Sequence, residues 1–277
     1  MRRRFDIYKV LIYALIVVTL VFLLTPIAFM ISTSFKTRED ALKLPPEWIP
    51  SSPILDNYYW LFTQRLFLRY YTNTLIVSLS STFLSVTFSC LAGYGISRLR
   101  FRGRNYFSIY LFVSQMLPSI MILIPLFYVL KVLNLINTYL GLISAYITFS
   151  LPFCSWMLKG YFDTIPPELE ESAMVDGCGK IGAFYRIALP LSAPGLAAVT
   201  IWSFLLSWQE YLFAMALMID EEMKTLTVGM SSLLYLEYMS WGNLMAYCTA
   251  FTIPVFILFI FLQKYLVRGL TLGAVKG

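Results

Sequence analysis

Apolar residues fill long runs of this chain, and the charged residues are gathered between them. Six stretches hold no Asp, Glu, Lys or Arg for more than twenty residues. They lie between Lys9 and Lys36, Arg69 and Arg98, Arg104 and Lys131, Lys131 and Lys159, Arg186 and Glu210, and Glu237 and Lys264. An α-helix rises about 1.5 Å per residue, so about 20 apolar residues cross the hydrocarbon of a bilayer. Each stretch is long enough for one crossing, and the fifth extends through Glu210 to Ile219. A β-barrel strand would alternate apolar and polar positions over roughly ten residues, whereas runs such as VVTLVFLL at 17–24 do not alternate. The pattern predicts an all-α membrane protein whose six spans fall at about 10–31, 73–97, 106–130, 137–158, 194–219 and 244–266. One transmembrane domain then covers 1–277.

Composition agrees. Of 277 residues, 59% are hydrophobic and 13% charged, against about 25% charged in ordinary soluble domains. A core able to bury that much apolar surface in water is larger than this chain can wrap. Val10–Ile31 is longer than a secretory h-region and ends in IST, so it reads as a retained anchor. Short basic loops stay in the cytoplasm. Placing both termini there puts fourteen of the 21 basic residues inside, including Arg98, Arg100, Arg102 and Arg104 in the second connection. The chain has no histidine, the commonest general base and metal ligand, and its four cysteines are scattered. Neither a disulfide nor a metal site is expected.

The loops are unequal. The first outer loop, about Ser32–Thr72, holds Pro45, Pro46, Pro50 and Pro53, a density that predicts a stiff, extended path. A last outer loop, about Asp220–Asn243, is acidic. The fourth connection, 160–193, is too long for a turn and is patterned like helices. Pro166 and Pro167 suit a first helical turn, and Glu168, Glu170 and Glu171 suit the positive end of its dipole. Gly177 stands where a left-handed residue would stop the helix. Leu169, Ala173 and Met174 give it a small apolar face. A second short helix fits Lys180–Leu189, broken by Pro190. With three basic residues (Lys180, Arg186 and the bordering Lys159) against five acidic ones, adsorption to a negative leaflet is unfavourable. A protein partner fits better.

The same connection resembles that of the permease subunits of binding-protein-dependent ABC importers. Their signature is E-A-A, three residues, G, nine residues, I, one residue, L-P. The chain reads ESA at 171–173, Gly177, Ile187 and Leu189-Pro190, with Ser172 where the family usually has Ala; Asp176 and Phe184 also match. Residues 44–62, 93–104, 115–130, 208–214 and 267–277 are similar to the carbohydrate branch, close to the maltose-type permeases. The resemblance implies a coupling helix seated in a cleft of a separate ATP-hydrolysing subunit. Glu171 and Asp176 then offer polar contacts, Ser172 and Ala173 a small face and Gly177 the turn. Phe184, Ile187 and Leu189 anchor the second helix, ahead of Pro190. It further implies a second, homologous permease subunit in a heterodimer, two ATPase subunits and an extracytoplasmic sugar-binding protein. The setting is a prokaryotic cytoplasmic membrane, with no nucleic acid. The acidic loop would enter the docked binding protein. The tail Gly269–Gly277 would reach the ATPase interface or lie loose on the surface.

No cofactor is expected in this chain. A Walker loop reads G-x-x-x-x-G-K-[ST], whereas Gly179-Lys180 is followed by Ile181 and lacks the earlier glycine. ATP and Mg belong to the partner ATPase. Apart from Lys264 near the end of the last, Glu210 is the one charged residue within a predicted span, and such a group faces the bundle or a wet cavity. Either it lines the solute path with Gln209, Trp202 and Tyr211, or it fixes helix packing. An intramembrane protease is excluded by the lack of histidine and of paired intramembrane aspartates. A secondary transporter would need a relay of buried acids beyond Glu210. A permease for a non-sugar solute is the nearer alternative.

Overall fold

The computed structural model describes residues 7–233 and 240–274, and all regular structure among them is helical. Four helices are long and apolar enough to cross a membrane: α1 (Ile7–Ser34), α3 (Phe67–Arg98), α6 (Tyr139–Asp163) and α13 (Trp241–Ala274). Two bent pairs raise the number of candidate spans to as many as six. The first pair, α4 (Arg104–Ser114) and α5 (Ser119–Val132), meets at 102°. The uninterrupted helix expected at 106–130 is therefore broken. Pro118 supplies no N–H and biases Leu117 away from helical torsions. The second pair, Lys180–Leu191 and α10 (Ala193–Trp208), meets at 75°.

The helix expected at 194–219 is likewise interrupted. It ends at Trp208, and α11 (Leu212–Leu217) begins after a break. The cause is local: the Glu210 carboxylate accepts the Phe213 and Ala214 N–H groups at 2.8 and 3.0 Å, so a new helix starts under its own cap.

The chain divides into two compact units, 1–67 with 232–253 and 68–231 with 254–277. In the first, the proline-rich loop does not run extended as its composition predicts. It folds back on the end of α1. Trp48 meets Phe29 edge-on at 5.4 Å, and its carbonyl accepts from Ser32 Oγ. Lys36, 1% exposed, donates to the Glu47 carbonyl and lies 4.6 Å from the Phe29 ring centroid. Asn57, at the start of α2 (Asp56–Thr63), donates to the Ser34 and Lys36 carbonyls at 2.9 and 2.8 Å. Buried backbone acceptors and an ammonium thus satisfy one another, which stacked prolines alone cannot do.

In the second unit α3 and α6 touch through small residues spaced four apart. Ser85 and Ser150 share a hydroxyl hydrogen bond of 2.5 Å, and Ser89 donates to the Leu151 carbonyl. A Cβ on Gly93 would lie 2.9 Å from the Lys159 nitrogen. Hydrocarbon offers little hydrophobic drive between helices, so close backbone approach of this kind supplies the contact. The segment before α12 (Leu226–Leu233) is pinned to the start of α3. Asn73 donates to the Glu222 and Lys224 carbonyls, Tyr70 to Glu221, and Thr74 Oγ1 accepts the Leu226 N–H at 2.7 Å. Residues 234–239, inside the acidic loop, and the side chains of the tail lie outside the described residues.

Candidate functional site

The segment singled out by the sequence folds as a short hook. Helix α7 (Pro167–Val175) opens with Pro167 in its first turn and Glu168 and Glu170 beside its positive end. It stops at Gly177, whose φ of +89° lies in the left-handed region. The Gly177 N–H donates to the Met174 carbonyl and the Cys178 N–H to the Ala173 carbonyl, at 3.1 and 3.0 Å. This pair of bonds is the Schellman closure, which takes up carbonyls that helix ends leave open.

The apolar face expected over Leu169, Ala173 and Met174 is divided between the two sides of the hook. Leu169 is 46% exposed, whereas Ala173 and Met174 are half-buried beside Glu170, 5% exposed. Glu170 accepts from Arg98 Nε at 2.7 Å and from the Tyr94 hydroxyl at 2.6 Å, both on α3. Arg98 Nη2 also donates to the Ile165 carbonyl at 2.8 Å, just before α7. Alongside, Ser97 and Lys159 donate to the two oxygens of Asp163. A charge taken this far out of water persists only with such partners. Glu170, Arg98 and Tyr94 are residues that the sequence pattern does not select. Their one signal is the spacing of Glu170, Ala173 and Met174, which share a helix face.

Glu171, Ser172, Asp176 and Gly177 are exposed along the other side of the hook, with Val175 and Leu169 among them. The Ser172 hydroxyl donates to the Glu168 carbonyl at 2.8 Å. After the turn come α8 (Lys180–Ala183), a π-helical turn over Phe184–Ala188, and α9 (Leu189–Leu191). Phe184 is 6% exposed, with its ring 4.6 Å from that of Tyr94. It belongs to a cluster with Cys154, Leu158, Phe162 and Ala188, against which Leu189 packs. Ile187 is half-buried. Pro190 does not break this helix; the bend comes after Leu191. The Leu189 N–H reaches back to the Phe184 carbonyl, and this wider turn accommodates a proline that has no hydrogen to donate.

The four residues proposed for a solute path separate. Glu210 lines a cavity of about 340 Å³ whose wall also carries Ser114, Gln115 and Ser119 from the α4–α5 break. The two breaks thus face one space. The same carboxylate accepts from the Tyr146 hydroxyl on α6 at 2.9 Å. Trp202 packs against Phe153 at 4.7 Å, and Gln209 and Tyr211 are exposed in the break. Trp208, 1% exposed, is buried at the end of α10 and stacks on Phe204, itself 2% exposed.

Residues 85–272 match the family described as Binding-protein-dependent transport system inner membrane component. The chain belongs to this family. The match includes α7, its anchor and both breaks. Over 93% of each chain this permease is 35% identical to the inner membrane ABC transporter permease protein YcjP of Escherichia coli K12. It is 34% identical to the maltodextrin transport system permease protein MdxG of Bacillus subtilis, over 97% of this chain and 96% of that one. It is 33% identical to the diacetylchitobiose uptake system permease protein DasC of Streptomyces coelicolor, over 94% and 95%. The fold is that of a chain in a bacterial ABC transporter involved in alginate import, with a TM-score of 0.78 over 96% of this chain and 98% of the other at 24% identity. This permease is a multi-pass membrane protein and a transporter subunit rather than an enzyme.

Proposed function

We propose that this permease forms half of the translocation pore of an importer for a sugar or oligosaccharide and passes ATP-driven motion into it. The observation that carries the reading is the hook. Helix α7 starts on a proline, is closed at its C-terminal end and is clamped to α3 through Arg98 and Glu170, and it leaves Glu171, Ser172 and Asp176 free for a partner. A rigid element tied to a long apolar helix is what a lever requires. The curated relatives are named for maltodextrin and diacetylchitobiose uptake, which supports a carbohydrate cargo. In this reading six spans place both termini and 160–193 in the cytoplasm of a prokaryote. The hook then enters one of two ATPase subunits, which hold ATP and Mg. A homologous permease completes the pore, and an extracytoplasmic binding protein delivers the solute. Glu210 and the polar residues of the two breaks are the path on this side.

Reconstitution tests this. The assembly purified with its ATPase and cognate binding protein takes up sugar into proteoliposomes on ATP, and Gly177→Leu abolishes uptake while the chain still inserts. Uptake driven by an ion gradient with no ATPase present would refute the reading.

A further inference from the structure

A second cavity, about 480 Å³, lies where α3 ends and α4 begins, against α7 and α8. Its wall carries Arg98, Arg100, Arg104 and Lys180 with Glu170 and Glu171. Arg98 and Glu170 satisfy each other, which leaves three cations facing one carboxylate. None of those three is ion-paired among the described residues. Asp163, the next acid, is already engaged by Ser97 and Lys159. The Arg104 Nε is buried and meets no acceptor, a costly state for a group that can only donate. The space, the surplus of positive charge and the orphaned donor all ask for an oxyanion. The surroundings point to its source. Leu99, Phe101, Tyr106 and Phe107 are exposed around the α3–α4 corner, and apolar and aromatic side chains beside a basic cluster suit the level of the headgroups.

We propose that this cavity binds a phosphate oxyanion, supplied by an anionic phospholipid of the leaflet that surrounds the corner. Arg104 and Lys180 grip the phosphate, and the acyl chains run out along the exposed side chains of α4. Basic pockets at helix ends recognise such headgroups, and a guanidinium fork matches the oxygens of a phosphate. The site adds to the transport reading without depending on it, because lipid binding is read apart from uptake.

The test uses the purified assembly in detergent, with bound lipid counted by native mass spectrometry. Phosphatidylglycerol is retained by the unaltered protein and by Arg102→Gln, which removes a charge from the same loop but not from this cavity. In the Arg104→Gln and Lys180→Gln double variant its affinity falls about tenfold or more, while phosphatidylcholine binds weakly throughout. Lys180 is exposed, so Lys180→Gln alone keeps the fold and shows part of the loss. Millimolar inorganic phosphate, read by thermal shift, separates the sources. Protection that the double variant loses, with lipid retention unchanged, would assign the site to a free anion and overturn the lipid source. Equal retention and equal protection in both proteins would overturn the site. So would a double variant that binds lipid normally but loses its ATPase partner, which would make the cavity a protein contact.

Discussion

At the scale of single residues, Gly177 and Glu210 carry opposite kinds of constraint. A Cβ on Gly177 meets no atom within 4 Å, so its cost is conformational alone. Gly177→Ala is expected to destabilise the closed end of α7 by about 1–2 kcal/mol, the cost of left-handed torsions for an L-residue. Increased protease cutting near 177, with the membrane-embedded part unchanged, checks it. Glu210 is constrained by hydrogen bonding. Its carboxylate oxygens take three donors: the Tyr146 hydroxyl and two backbone N–H groups. A glutamine presents an NH₂ where an acceptor is required. Glu210→Gln is therefore not innocent: both it and Glu210→Ala lower the melting temperature in detergent, the alanine more, since it strands a buried hydroxyl at about 1–3 kcal/mol. A glutamine variant as stable as the parent would show that the carboxylate is not needed for packing. Glu221 supplies a pH dependence. The Lys224 ammonium, and then the Tyr70 hydroxyl, hold its carboxyl below the usual range. A lowered folded-state value stabilises above the unfolded pKa and is lost as pH falls through the folded one. Protease resistance of the segment before α12 should hold from pH 7 to about 5 and decline below about 4.5.

At the scale of elements, the clamp between α3 and α7 is the joint to test. Arg98→Ala leaves the Glu170 charge buried without its partner, and breaking a buried pair costs about 3–5 kcal/mol. Replacing both residues by leucine removes the unpaired charge and is expected to recover part of the stability, the remainder being lost with the partners of the Tyr94 hydroxyl and the Ile165 carbonyl. Thermal unfolding of the two variants, with proteolysis at α7, distinguishes them; equal losses would mean that the pair contributes little beyond packing. This joint was illegible in the sequence for a definite reason. Reading faces by hydrophobicity groups Leu169 with Ala173 and Met174 and leaves the acids as flanks, and the partner of Glu170 stands 72 positions earlier. The stop at Gly177 was legible, because only a glycine tolerates that torsion cheaply and it follows a proline-started acidic turn.

At the scale of the whole molecule, the hydropathy pattern located the apolar runs and missed where helices break inside them. Run length and charge carry no record of direction: Pro118 and Glu210 both stood in view, yet a lone carboxylate among apolar residues reads as a buried group rather than as the cap of a new helix. Those breaks shape the candidate path, so the least legible features are the ones nearest to function. Topology mapping with membrane-impermeant thiol reagents checks the proposed orientation, using single cysteines introduced at exposed positions after the four native cysteines are replaced by serine. Labels at Arg102 and Asp176 should be reached only from the cytoplasm, and a label at Leu44 only from outside. Finally, the hook leaves α6 through three residues of chain and is gripped by Arg98 of α3, while α3 and α6 themselves meet with scarcely a side chain between them at Gly93. It therefore stands on two legs braced at the knee. A single leg would let a push swivel away, but a trestle delivers it to both uprights together.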